Sequence, residues 1–279
     1  FGPRSIKIVT AKNNISKPYC KYFPKCSGCF YSHEDYQKSL QNKYEELKKI
    51  SKDFLDNAEI IKEPIASPKK LYFRNYTKFA IRNRSPGPAI GLFQEGSHKI
   101  VPIAECIVAS RGINLFLSLF LTKLKNYNLS FFDEPTQRGF LRYISLYENY
   151  RKELFVVIVA NEENLTGIEL LKKLLTDLSK QKKVKVVSYV LNINNSKGNN
   201  IFGDKNITLV GSGFIIDKFN NVTLRISPTA FVQTNRLITE LVYDKIKEEI
   251  NNDSILELYS GIGSIGLSLA EKANELTGF

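Results

Sequence analysis

The stretch Ile255-Leu-Glu-Leu-Tyr-Ser-Gly-Ile-Gly-Ser-Ile-Gly266 decides the fold of the C-terminal region. Ile255–Tyr259 reads as a short buried strand, Ser260–Gly263 as a glycine turn and Ser264–Ala273 as a helix. Strand, glycine loop and helix in that order open a nucleotide-binding α/β sheet. Gly261, Gly263 and Gly266 satisfy G-x-G-x-x-G, and a loop without Cβ atoms lets the backbone approach a cofactor at a helix N-terminus. The motif alone is weak and admits a dinucleotide such as NAD. Two features favour S-adenosylmethionine (SAM). An acidic residue, Glu257, sits inside the strand, and the loop comes late, whereas dinucleotide folds usually open with it.

Working outward, Thr234–Ile250 predicts a helix with Leu237, Leu241, Val242 and Ile246 on one stripe. This regime begins near Ser227. The chain reaches Phe279 at about the second strand, and a doubly wound sheet needs several more units, so a further C-terminal part is expected. Upstream the pattern changes. Strands are expected at Leu71–Arg84, Gly91–Phe93, Phe140–Tyr147, Leu154–Ala160, Val184–Ile193 and Thr223–Ile226, with an amphipathic helix over Leu165–Leu178. Glu34 to Lys52 reads as a helix carrying Tyr36, Leu40, Tyr44, Leu47 and Ile50. The fold class is therefore an α+β central domain followed by the start of a Rossmann-like α/β domain. Its segments are residues 1–19, with a possible strand at Ser5–Thr10, a central domain over 20–226, and 227–279.

The four cysteines are the second informative set. Cys20-x₅-Cys26 leads into Cys26-Ser-Gly-Cys29, a C-x-x-C turn in which the glycine lets both thiolates face one centre. With Cys106 they make a Cys₄ set suited to zinc or to an iron–sulfur cluster, and spacing does not separate the two. Buried free thiols would account for Cys106 alone but not for the cluster. His33 and His98 fit surface histidines better than ligands.

The 279 residues can bury a real core, and 43% hydrophobic with 11% aromatic residues excludes a disordered chain. No apolar run approaches the roughly 18 residues of a membrane span, and no signal-peptide layout opens the sequence, so a cytoplasmic protein without a membrane partner is expected. Net charge is +12, from 40 basic against 28 acidic residues, which favours a polyanionic partner. A general lysine bias of the source would supply part of that excess. Residues 69–84, KKLYFRNYTKFAIRNR, interleave cations with aromatics at period two. Arg74, Tyr76, Lys78, Arg82 and Arg84 share one face, which suits unpaired RNA or, equally, the solvated side of a half-buried sheet.

Together these residues resemble the RNA uracil-5-methyltransferases, in particular the iron–sulfur branch that methylates 23S ribosomal RNA, with archaeal transfer-RNA relatives. The resemblance is carried by Cys20-x₅-Cys26-Ser-Gly-Cys29, Tyr31-Ser-His33 with Tyr36, Gln37 and Lys43, Phe73-Arg-Asn75, and Gly91-Leu-Phe-Gln-Glu-Gly-Ser-His98. It continues through Ile103-Ala-Glu-Cys106, Gly139-Phe-Leu-Arg-Tyr143, Ile226-Ser-Pro-Thr-Ala-Phe-Val-Gln-Thr-Asn235 and Leu256-Glu-Leu-Tyr-Ser-Gly-Ile-Gly263. Departures are mild: the family more often has Gly at Ser27, Ser at Ala230, Phe at Val232, Asp at Glu257 and Cys at Ser260.

The resemblance implies that Cys20, Cys26, Cys29 and Cys106 ligate a [4Fe–4S] cluster. It implies that Gln233, Tyr259 and Ser264 contact SAM, alongside Gly261 and Gly263 of the loop. It also implies the chemistry. A cysteine thiolate adds to C6 of uracil, the resulting enolate attacks the SAM methyl, and a base removes the C5 proton as the thiolate is eliminated from C6. That nucleophile and base are expected C-terminal to Phe279, so no catalytic residue is assigned within the chain and none of its four cysteines is the nucleophile. The residue 34–52 helix is expected to pack on the methyltransferase domain, and residues 1–19 to be a remnant of an RNA-binding β-barrel. The implied partner is RNA, ribosomal before transfer RNA, for a monomeric enzyme. Two alternatives stay open: a non-catalytic iron–sulfur RNA-binding protein, and a NAD-dependent oxidoreductase.

Overall fold

The computed structural model describes residues 19–30, 34–52 and 61–279, so the strand expected at Ser5–Thr10 and residue His33 lie outside the described residues. The chain divides into two compact units that part between Ile65 and Ala66.

In the first unit the cysteine loop precedes helix α1, Tyr36–Ser51. Asp35 starts this helix, its carboxylate accepting from Gln37 N (2.8 Å) and Lys38 N (3.3 Å). Tyr44 of α1 donates its hydroxyl to the Ile61 carbonyl at 3.0 Å.

The second unit is built on a seven-stranded mixed sheet. In chain order its strands are β1 (Tyr76–Arg84), β2 (Gly87–Phe93), β3 (Ile100–Pro102), β4 (Leu141–Glu148), β5 (Leu154–Ala160), β6 (Val186–Ile193) and β7 (Lys205–Val210). The order across the sheet is β3-β2-β1-β4-β5-β6-β7. Neighbours are antiparallel except β5 and β6, whose parallel pairing requires the crossover helix α3, Leu165–Ser179. Helix α2, Arg111–Leu124, packs against α3, and its Phe116 ring meets Tyr189 of β6 at 6.3 Å.

A hairpin of β8 (Ile215–Phe219) and β9 (Val222–Ile226) covers part of the sheet. Ile215, Phe219, Leu224 and Ile226 pack with Tyr147, Phe155, Val157 and Val190. Every residue of β5 is buried, as expected of a central strand with both faces covered. Each fully buried aliphatic or aromatic side chain here contributes about 1.5–3 kcal/mol. Helix α4 (Arg236–Glu249), strand β10 (Ser254–Glu257), helix α5 (Ser264–Leu269) and strand β11 (Glu275–Gly278) complete the unit, with β10 and β11 parallel.

Several expected bounds move, each for a local reason. The first sheet strand begins at Tyr76 rather than Leu71, because Tyr72 takes a left-handed backbone (φ 54°) and breaks the extended run. The C-terminal glycine helix stops at Leu269 instead of Ala273, where Lys272 N and Ala273 N both turn back to the Leu269 carbonyl. On α4 the buried stripe carries Thr239 and Tyr243, while Val242 is exposed. Strand β11 stands where the second strand of the α/β unit is expected, near Phe279, whereas helix α2 and strands β3, β7 and β8 have no counterpart among the expected elements.

Candidate cofactor site

Strand β10 ends at Glu257 rather than running to Tyr259, because Tyr259 itself has φ 58°, and it is not the buried strand expected, since Leu256 and Leu258 are exposed. The turn closes with Gly263 N donating to the Ser260 carbonyl at 2.8 Å. Gly261 and Gly263 follow at φ 57° and 70°, the left-handed region that glycine enters without a Cβ penalty. A Cβ on Gly261 would meet only the Tyr259 carbonyl oxygen, at 3.9 Å, so the space over the loop is open. Gly266 is the opposite case. Its N–H donates to Glu257 Oε2 at 3.0 Å, and a Cβ there would lie 2.5 Å from that oxygen. The strand acid therefore latches the first turn of α5, and its Oε2 is engaged inside the motif.

Tyr259 is 99% exposed, with its ring standing clear of the loop. Ser264 is tied from behind: its Oγ lies 2.6 Å from the hydroxyl of the buried Tyr243. Burial pushes the Tyr243 pKa up, which keeps that hydroxyl protonated for the bond. Tyr243 was not foreseen as a site residue.

Gln233 lies on the segment between β9 and α4. Val232 is buried in the cluster that holds Tyr243, with Ile262 and Ile265 of the glycine motif packed against it. The backbone around Gln233 is fixed several times over. Asn75 N donates to the Thr234 carbonyl at 2.9 Å. The Asn75 side-chain amide, oriented by its acceptors, donates to the Gln233 and Thr234 carbonyls at 3.3 and 2.5 Å. Asn235 Nδ2 donates to Ser67 Oγ at 3.0 Å, and Asn235 caps α4. The next residue, Arg236, pairs with the fully buried Asp217, donates to the Lys218 carbonyl, and stacks 4.4 Å from the Phe219 ring centroid. Against that fixed backbone the Gln233 and Phe231 side chains are exposed. Exposed side chains on an over-determined backbone make a preorganised binding element.

The cysteines divide between the units. In the first, Cys26 N donates to the Tyr22 carbonyl at 3.0 Å, and Gly28 N donates to Cys26 Sγ at 3.4 Å. In the second, Asn114 brackets Cys106, accepting from its N–H at 2.8 Å and donating to its carbonyl at 2.9 Å. All four are half-buried and none is in a disulfide. The donor chemistry fits a thiolate-ligated metal. Among the described residues no three His, Cys, Asp or Glu side chains form a metal-binding group.

The burial of the basic-aromatic strand does not alternate as the sequence pattern implies: Phe79 to Arg82 are buried in succession, and most of its cations are withdrawn from solvent. Arg82 is buried, donates to the Ile81 and Arg142 carbonyls at 2.9 and 2.8 Å, and lies over the rings of Phe93, Phe132 and Tyr143. Lys78 is half-buried over Tyr76 and Phe202, and desolvation lowers its pKa. Arg84 alone of β1's cations is exposed.

No family model matches the chain. It is 30% identical over 284 residues, its whole length, to an uncharacterized RNA methyltransferase of Oceanobacillus iheyensis, of which it covers 60%. It is 28% identical over 280 residues to one of Staphylococcus aureus, covering 98% of this chain and 61% of the relative. The chain thus spans about three fifths of the length of the curated relatives it matches. Among solved structures, the tRNA (uracil-54, C5)-methyltransferase of Pyrococcus abyssi with S-adenosyl-L-homocysteine superposes with a TM-score of 0.68 at 28% identity, over 92% of this chain and 59% of that one. No helix among the described residues is long and apolar enough to cross a membrane. Along nearly all of its length the chain is therefore similar to proteins named RNA methyltransferases and to one solved tRNA (uracil-54, C5)-methyltransferase.

Proposed function

We propose that this chain is part of a SAM-dependent RNA methyltransferase that acts on C5 of uridine, with ribosomal RNA as the first candidate target and transfer RNA as the second. The observation that carries this reading is the pairing of an open glycine loop with an immobilised, outward-facing Gln233 segment. Ile262, Ile265 and Val232 join the two in one apolar cluster. Gly261 and Gly263 leave the backbone accessible, the exposed Tyr259 ring offers an apolar and π face, and Gln233 offers an amide with both donors and an acceptor. These groups fit a zwitterionic adenosyl cofactor. When bound, SAM supplies an electrophilic methyl group. This chain's residues bind and orient it: Gln233 and Tyr259 by direct contact, Ser264 from a hydroxyl that Tyr243 holds in place.

The finer assignment of Cys20, Cys26, Cys29 and Cys106 to a [4Fe–4S] cluster is part of the same proposal. It rests on the resemblance and on the donor set. The cysteines hold no role in methyl transfer here, so the cluster is structural. Anaerobic purification and iron and sulfide analysis test it; a colourless protein with stoichiometric zinc refutes it. The reaction class is tested by calorimetry with SAM and with NAD. SAM binding is expected, and NAD binding in its place refutes the methyltransferase reading.

A further inference from the structure

The chain's positive charge has to be displayed somewhere, and β1 hides most of its share. Two turns on one end of the sheet carry it instead. Residues 149–153 link β4 to β5, and residues 180–185 link α3 to β6. They are laced together: Leu154 N donates to the Lys185 carbonyl at 2.8 Å, and Lys185 Nζ pairs with Glu153 Oε1 at 2.6 Å. Arg151, Lys152, Lys180, Lys182, Lys183 and Lys185 are all exposed on these turns.

Their acids lie underneath. Glu148, which pairs with Lys152, keeps 4% of its side-chain exposure, and Glu153 keeps 12%, while the Lys152 and Lys185 side chains are 73% and 72% exposed. The carboxylates orient the lysines without covering them. Arg151, Lys182 and Lys183 make no ion pair among the described residues, and Arg151 lies 5.1 Å from the ring centroid of the exposed Tyr150. A second observation is independent of charge. Lys152 and Lys182 both occupy the left-handed region, at φ 61° and 50°, where Gly or Asn is the less strained choice.

A chain of bonds ties the rim to the segment that carries Gln233. Glu153 Oε2 accepts from Asn149 Nδ2 at 2.9 Å, Asn149 also donates to the Ile216 carbonyl at 3.0 Å, and Tyr150 N donates to Asp217 Oδ1 at 3.1 Å. Asp217 is the partner of Arg236, three residues beyond Gln233. We propose that Arg151, Lys152, Lys182, Lys183 and Lys185 form a phosphate track that holds the backbone of the RNA beside the Gln233 segment. The track is sequence-independent: it offers point charges to phosphates and no groups arranged for base edges. It rests on the RNA reading above. A membrane surface fits less well, because Tyr150 is the one large exposed apolar side chain of the two turns.

The test compares the protein with the Arg151→Gln/Lys182→Gln/Lys183→Gln variant, using labelled oligouridylate and labelled bulk tRNA in fluorescence anisotropy over a salt series. A milder variant, Lys182→Gly/Lys183→Gln, relaxes the Lys182 backbone and guards against misfolding. Lys172→Gln/Lys173→Gln on α3 is the control. Neutralising three contacts is expected to reduce the slope of log affinity against log salt by about 2 and to weaken RNA binding about tenfold, with SAM affinity and urea midpoint unchanged. Wild-type affinity and slope in both rim variants overturn the track and leave the RNA reading standing, as does an equal loss in the control. A parent protein that binds no RNA, or only phosphatidylserine vesicles, overturns both.

Discussion

Tyr147 donates its hydroxyl to Asp217, and Arg236 pairs with the same carboxylate, so one buried acid joins β4, the β8–β9 hairpin and the first residue of α4. Asp217 Oδ1 also accepts from Tyr150 N at 3.1 Å and Lys218 N at 2.7 Å, which leaves no oxygen unsatisfied. Burial pushes the Tyr147 pKa well up, with the Asp217 charge reinforcing it, so the phenol stays a donor at any working pH. The candidate cofactor residue Gln233 hangs from this junction.

Asp217→Ala strips the partner from a buried guanidinium and a buried phenol. A loss of about 3–5 kcal/mol is expected in urea unfolding, because an uncompensated buried charge is left behind. Asp217→Asn is expected to cost less, since the amide oxygen still accepts.

Gly263→Ala places a side chain at φ 70°, with Leu267 no nearer than 3.5 Å to the new Cβ. Backbone strain of about 1–2 kcal/mol is expected to appear as SAM binding weakened about five- to thirtyfold in calorimetry. Gly266→Ala is expected to be worse, because its Cβ runs into the Glu257 carboxylate at 2.5 Å.

Asn75→Ala removes the amide that holds the Gln233 and Thr234 carbonyls from behind. SAM affinity is expected to fall by about 1 kcal/mol, or roughly fivefold, as measured by calorimetry. Gln233→Ala removes the contacting amide itself, and in the double variant the two losses are expected to be less than additive.

Stability is expected to decline in alkali through Tyr189. Burial pushes its pKa up to about 12, above the ordinary 10. The unfolded chain releases this proton near pH 10 while the folded one keeps it, so the stabilisation is whole below pH 10 and drains away toward pH 12. The loss is about 3 kcal/mol over that window. Urea midpoints across it are expected to fall more steeply in the parent than in Tyr189→Phe.

What the sequence disclosed and what it hid follow from the physics of each segment. The glycine motif was legible because positive-φ turns and close approach demand glycine whatever surrounds them. Helix α3 was legible because its apolar stripe is separated by polar residues. Helix α2 was not: in Ile113-Asn-Leu-Phe-Leu-Ser-Leu-Phe-Leu121 apolar residues recur at nearly every position, which erases the helical period. The exposure of the β1 cations is not legible in the period-two pattern, because rings from distant segments, Phe132 and Tyr143, close over Arg82. Tyr147, Asp217 and Arg236 carried no local signal, since their meaning depends on a junction of three elements.

The most direct test is nucleoside mass spectrometry of ribosomal and transfer RNA from a strain lacking the gene, with the wild-type gene restored as control. Loss of a 5-methyluridine that returns on complementation is expected. Unchanged 5-methyluridine at every site in both RNA classes contradicts uracil-C5 methylation by this protein.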